Sequence, residues 1–342
     1  MFADLHDELR AVARDLLKAP APDWALLAAS GWTGLEVPES LGGAGATFAE
    51  TAVIAREMGR AATRSPYLGA AVLGVGTLLL LEPGPVRDDL LRQAAAGEII
   101  PVAVLPDAAS SAIAGDPARS AHASFVPDAA EATHLLLLVR DGDGQPVILP
   151  LAAGATGVCV TAQPVVDETR RLATVTVDEA AVAGMPALRF AGDPGDAVRR
   201  LGDRGAVAIA CDSLGLMEAM LDATVAYAKV RHQFGKPIGS FQAVQHACAD
   251  MQVQVSVGRE LVSSAVTAVT SASEDAWVAV SMAKAHVTSA AVSVVGKAMQ
   301  LHGGIGYTWE SGIHAYLKRA TLNRALYGSP SEHRRRLATR YQ

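Results

Sequence analysis

The hydrophobic pattern along the chain changes period twice. From Asp4 to about Gly97 apolar residues recur at helical spacing, interrupted by stop signals at KAPAP, SGW, LGGAGA and EPGP. In TFAETAVIAREMGRAA, Phe48, Ala52, Ala55, Met58 and Ala62 share one side of a helix, while Glu50, Glu57 and Arg60 lie opposite. That spacing predicts an amphipathic helix.

From about Ile99 to Phe190 the period shortens. HLLLLVR is a short apolar run suited to a buried strand, and PVILPL, GVCVTAQ and RLATVTVDE are short and β-branched. In the last of these Ala173, Val175 and Val177 alternate with Thr174 and Thr176, and Gly/Asp turns such as RDGDGQP separate the runs. A small β-unit is expected here. From about Asp193 the helical period returns, with Leu214, Met217, Leu221, Val225 and Ala228 on one stripe and two long Ala-rich helices after it. Those two are apolar nearly all round, as in a bundle that also forms an oligomer interface. The expected fold is therefore α+β and mainly α: an N-terminal helical domain (1–97), a middle β domain (98–190) and a C-terminal helical bundle (191–342). The order lacks βαβ alternation, and no GxGxxG follows a strand, which argues against a Rossmann domain.

Composition then narrows the function classes. Half of the 342 residues are hydrophobic and 19% are charged, a balance that supports a globular protein with a substantial core. The formal net charge of -6 gives no general attraction to nucleic acid or anionic membrane, so an anionic ligand must be met by local basic groups. Cys159, Cys211 and Cys248 form no CxxC pair; buried free thiols are expected, and no metal site. The N-terminus has no signal-peptide apolar core, and LGAAVLGVGTLLLLEPG is broken by Gly74 and Gly76 short of the ~20 residues that span a bilayer. A cytoplasmic location follows as the expectation.

Two stretches carry candidate chemistry. In KVRHQFGKPIGSFQAVQH, Arg231 stands beside a turn forced by Pro237 and Gly239, where its planar fork suits a phosphate or pyrophosphate. A solvated helix-loop-helix connection would read the same way. In QLHGGIGYTWE, Gly303, Gly304 and Gly306 let a ligand approach the backbone, although a single Gly-rich turn is weak evidence.

Together, in this order and about sixty residues apart between long helices, the two stretches resemble the C-terminal domain of the acyl-CoA dehydrogenase family of flavoproteins. GWTGLEVPESLGGAGATFAETAVIAREMGR similarly resembles that family's N-terminal domain. The resemblance implies helical domains flanking a middle β-barrel, with a C-terminal four-helix bundle. It also implies FAD as cofactor, an acyl-CoA substrate and an electron-transfer flavoprotein as acceptor. It further implies that Arg231, Phe234 and Gln242 of the first stretch, and Gln300, Gly303 and Gly304 of the second, contact the flavin of a neighbouring subunit. By the same resemblance the chain's own flavin cradle is degraded. VLPDAASS (Val104–Ser111) stands where the family has a segment like TEPGAGSD, and no Trp follows it in SFVPDAAEATHLLLL.

The family's reaction removes an α-proton with a carboxylate while the β-hydrogen leaves as hydride, and a positioned base contributes about 10²–10⁴-fold. Aligned on the family, the two places where that carboxylate stands carry Gly328 and Gly205. Asp212, Glu310 and Glu332 are the substitutes nearby. Glu332 with Ser329 and Pro330 reads better as a helix cap, Glu310 as an exposed acid and Asp212 as a polar residue at a helix bend, with HRRR on the solvated face of the last helix. The expected protein is a base-lacking subunit of a heteromeric acyl-CoA dehydrogenase, a heterotetramer of lipid or steroid degradation, completing the flavin site of a second family subunit. The alternatives are a homomeric enzyme with a relocated carboxylate and a non-catalytic acyl-CoA-binding paralogue.

Overall fold

The computed structural model describes residues 2–18, 21–105 and 121–341. The helices are α1 (Phe2–Leu16), α2 (Trp24–Ala29), α3 (Phe48–Arg60), α4 (Gly76–Leu79), α5 (Pro85–Ala95), α6 (Glu179–Val182), α7 (Pro194–Val230), α8 (Gln242–Thr270), α9 (Ala276–His302), α10 (Ile313–Ala325) and α11 (Pro330–Ala338). The strands are β1 (Pro101–Val104), β2 (Ala121–Pro127), β3 (His134–Arg140), β4 (Pro146–Ala152), β5 (Val158–Gln163), β6 (Leu172–Val177) and a short hairpin, β7 (His232–Gln233) with β8 (Lys236–Pro237). The described residues divide into two compact units. One holds α1, residues Ala52–Thr63 and the chain from Ala206 onward; the other holds residues Ala21–Thr51 and the described part of Arg64–Gly205.

In the second of these units, periodicity and burial agree strand by strand. β3 pairs parallel with β1 and antiparallel with β4, and β6 lies between β2 and β5 in a separate antiparallel sheet. Leu135 and Leu137 of β3 point into a core shared with Val175 and Val177 of β6, while Leu136 and Leu138 point into another with Leu78, Leu90 and Leu91. Both faces of β3 are therefore dry, which is why HLLLLVR is apolar throughout and does not alternate. β6 alternates because Thr174 and Thr176 keep one face half-exposed. The apolar run before α4 folds as a π-helix over Leu68–Val75, and Thr77 returns its hydroxyl to the Leu73 carbonyl.

The other unit is a helical bundle centred on α9, which packs against α8, α10 and α11. By length and composition α9 could cross a bilayer. Here its apolar faces are satisfied by other helices, with Ala283, Val287, Ala291 and Val295 fully or nearly fully buried. α3 meets α7 backbone to backbone. A Cβ on Gly59 would lie 2.0 Å from the Asp212 carbonyl oxygen, and one on Gly215 would lie 2.0 Å from that of Arg56. Only paired glycines allow that approach.

The structure revises three expectations. Helix α3 is not wet on its acidic side: Glu50 and Glu57 are buried. Glu57 takes a paired hydrogen bond from Arg14, and Glu50 accepts from the backbone and hydroxyl of Thr47. Of the three free thiols only Cys211 is buried; Cys159 is exposed because it lies on the outward side of β5. His333, assigned to a solvated face, is 6% exposed.

Candidate functional site

Arg231 follows directly on α7, and its carbonyl accepts from Ile238, which closes the β7–β8 hairpin. The two loop residues, Phe234 and Gly235, have φ of +53° and +77°, the left-handed pair that a two-residue hairpin favours. Phenylalanine in that region is uncommon and costs about 1 kcal/mol. The turn thereby holds the Phe234 ring outward at 92% exposure, edge-on to Phe241 at 6.1 Å. Gln242 begins α8 and is exposed, and Lys229, Arg231 and Lys236 are exposed too. Against a net charge of -6 this is a local cationic surface with an apolar ring at its tip.

Gln300 is exposed in the last turn of α9. The helix ends at Gly303, whose φ of +64° and ψ of -144° lie where only glycine is at ease, and whose N–H caps the Gln300 carbonyl. Gly304 faces open space, with nothing within 4 Å of where a Cβ would stand. The two stretches meet: the Tyr227 ring, one turn before Arg231, stacks on His302 with centroids 4.5 Å apart. All six residues are exposed in one unit.

The chain then reaches Tyr327 and Gly328, both with positive φ, before α11. Three buried side chains surround that turn. Lys284 of α9 donates to the Gly328 carbonyl at 2.7 Å, His333 of α11 hydrogen-bonds the Tyr327 carbonyl through Nε2 at 2.9 Å, and Ser281 faces His333 Nδ1 at 3.3 Å.

Residues 3–98 match the family model "Acyl-CoA dehydrogenase, N-terminal domain", and residues 197–342 match "Acyl-CoA dehydrogenase, C-terminal domain". The chain belongs to the acyl-CoA dehydrogenase family. It is 33% identical to acyl-CoA dehydrogenase IpdE2 of Mycobacterium tuberculosis, over 92% of this chain and 85% of that protein. Among solved structures it is similar to the Tcur3481-Tcur3483 steroid ACAD G363A variant, with a TM-score of 0.85, 26% identity and coverage of 99% and 98%. The ChsE4-ChsE5 complex of M. tuberculosis shares the fold at a TM-score of 0.84 and 23% identity, over 98% of this chain and 96% of that one.

In this acyl-CoA dehydrogenase chain two of the three acids named as substitutes for the base, Asp212 and Glu332, are already engaged. Asp212 is 2% exposed in the interior of α7, not at a bend. Its carboxylate accepts from Arg319 at 2.5 and 3.0 Å and from Asn323 at 2.6 Å, a buried pair whose breakage leaves an uncompensated charge. Glu332 closes a capping box with Ser329, and those hydrogen bonds hold its carboxyl below the ordinary glutamate value. Glu310 is exposed, and Gly205 is buried within α7. The VLPDAASS segment lies outside the described residues apart from Val104 and Leu105.

Lys284 is not singled out in the sequence, and His333 is assigned there to a solvated face. The signal was present for Lys284, because VSMAKAHVTSAAVSVVG places a single Lys in an otherwise uncharged run, and such a residue is buried with it. Lys284 is 0% exposed, and burial pulls its ammonium down to about 7, with Glu332 acting in the opposite sense.

Proposed function

We propose that this chain is a subunit of an FAD-dependent acyl-CoA dehydrogenase, supplying Arg231, Phe234, Gln242, Gln300, Gly303 and Gly304 to a flavin seated mainly in a second, base-bearing subunit. The observation that carries the reading is an asymmetry. Six ligand-type residues stand exposed together on one unit, while the aligned base position is a glycine turn walled by Lys284 and His333. The exposed residues fit an FAD. Arg231 makes no ion pair among the described residues, so its planar guanidinium is available to a pyrophosphate, and the open side of Gly304 admits close approach of a ligand.

The flavin supplies hydride acceptance; what this chain supplies is placement. Arg231 neutralises and orients the anionic part, Phe234 offers an apolar edge, and the Gln242 and Gln300 amides offer directional hydrogen bonds. Removal of the α-proton belongs to the partner. The likeness to the Tcur3481-Tcur3483 steroid ACAD favours an acyl-CoA of steroid or lipid degradation.

The test is expression of the chain alone and together with a family paralogue. The chain alone is expected to be colourless and inactive, and the pair to be yellow and to dehydrogenate an acyl-CoA. Arg231→Ala in the assembled pair should weaken flavin binding about 10–100-fold, the loss expected for a charge-assisted hydrogen bond. A yellow, fully active protein from the chain alone overturns the reading.

A further inference from the structure

The turn at Tyr327-Gly328 is held far more firmly than a simple loss of a catalytic side chain requires. Tyr327 has φ +54° and Gly328 φ +90°, and a non-glycine residue in the left-handed region persists only where its surroundings impose it. The surroundings here are specific. Lys284 Nζ takes the Gly328 carbonyl at 2.7 Å, and His333 Nε2 pairs with the preceding carbonyl, that of Tyr327, at 2.9 Å. The two groups come from different helices and capture consecutive carbonyls from buried positions, with Lys284 at 0% and His333 at 6% exposure. The His333 ring cannot swing aside freely, because Ser281 Oγ stands 3.3 Å from its Nδ1.

The same ring also fills the space a side chain would need. A Cβ on Gly328 would lie 2.8 Å from His333 Nε2 and 3.2 Å from its Cδ2. Contacts below about 3.0 Å are not tolerated in close-packed interiors without displacement of one partner. Two independent features therefore exclude a side chain at this position: the backbone conformation and the imidazole behind it.

We propose that the acyl site of this subunit is locked against catalysis by its own packing: Lys284 and His333 fix the Tyr327-Gly328 turn in a conformation that admits only glycine at 328, so no single substitution there can install a base. The proposal rests on the alignment of residue 328 with the family's carboxylate, and it deepens the subunit assignment. Lys284 and His333 act as positioning residues; neither is offered as a proton acceptor. His333 Nε2 is already committed to the Tyr327 carbonyl, and Lys284 to that of Gly328.

The experiment is a stability cycle on the full-length chain, read by calorimetry and needing neither flavin nor acyl-CoA. Gly328→Ala should lower Tm by about 3–8 °C, a shift of the size a steric and backbone conflict gives in a chain of this length. In a His333→Ala background the same change should cost less than half as much, because only the backbone part remains. An unchanged Tm for Gly328→Ala overturns the lock by itself, and so does an equal cost in both backgrounds. The second arm is Gly328→Glu in the assembled heteromer. Turnover per flavin is expected not to rise above the parent value, and any gain traced to this subunit overturns the proposal. Because the first arm is independent of activity, a failed lock and a failed subunit assignment give different results.

Discussion

Lys284 is the side chain whose physical state is most at odds with its surroundings. An ammonium prefers water, and burying it in a helical bundle lowers its proton affinity until it titrates near 7. Linkage then sets the sign. Between about pH 7 and the ordinary lysine value of 10.5 the unfolded chain holds this proton and the native chain does not, so stability from this group rises with pH across that window. Below about 7 both states are protonated, and the full cost of the buried charge is present. Lys284→Met removes both the cost and the titration. The stability of the parent relative to Lys284→Met should therefore rise between pH 7 and 10, by at most about 1.4 kcal/mol per pH unit. Chemical denaturation of the two proteins across that range measures it, and a difference that stays flat means Lys284 is charged throughout. The same substitution strips the Gly328 carbonyl of its donor, so hydrogen exchange at the 327–328 turn should quicken at every pH.

Elements were legible in proportion to how locally their causes act. The strands of the β-unit follow from alternation and apolar runs, and the cap of α11 follows from Ser329, Pro330 and Glu332 lying within one turn. What stayed hidden depends on partners distant in sequence. Glu57 reads as a solvated acid until Arg14, 43 residues earlier, is placed against it. His333 reads as part of a basic surface run until Ser281 and the Tyr327 carbonyl enclose it. The glycine pair between α3 and α7 belongs to the same class. Gly59 and Gly215 look like ordinary weak points in two helices, yet they set the distance between them. Gly215→Ala would raise intrinsic helix propensity by about 1 kcal/mol and still destabilise, because its Cβ would meet the Arg56 carbonyl. A net loss of about 1–3 kcal/mol is expected, against a gain for Gly202→Ala, which sits in α7 with open space around it. Measured denaturation midpoints for the two variants should move in opposite directions. If both rise, the two helices are not in backbone contact.

At the scale of the whole molecule the question is how many working sites an assembly of such chains contains. A flavin site in this reading needs two contributions, a cradle with its base from one chain and the exposed Arg231 and Gln300 surface from another. In that reading this chain offers the second contribution, and both residues are exposed. By the sequence resemblance its base position is a glycine turn, and VLPDAASS (Val104–Ser111) stands in place of the family's segment like TEPGAGSD. In the proposed arrangement a partner of the ordinary family type supplies the cradle and the base, and this chain supplies neither. An assembly with equal numbers of the two chains should therefore bind half as many flavins as it has polypeptides, and acyl-CoA should reduce all of them. Flavin absorbance against protein concentration from amino-acid analysis gives the ratio, and anaerobic titration gives the reducible fraction. One flavin per polypeptide would mean that this chain's own cradle works, and the division of labour would then concern the base alone. A homomeric enzyme with a relocated carboxylate predicts that full ratio and also activity without a partner, so the two measurements together separate all three arrangements.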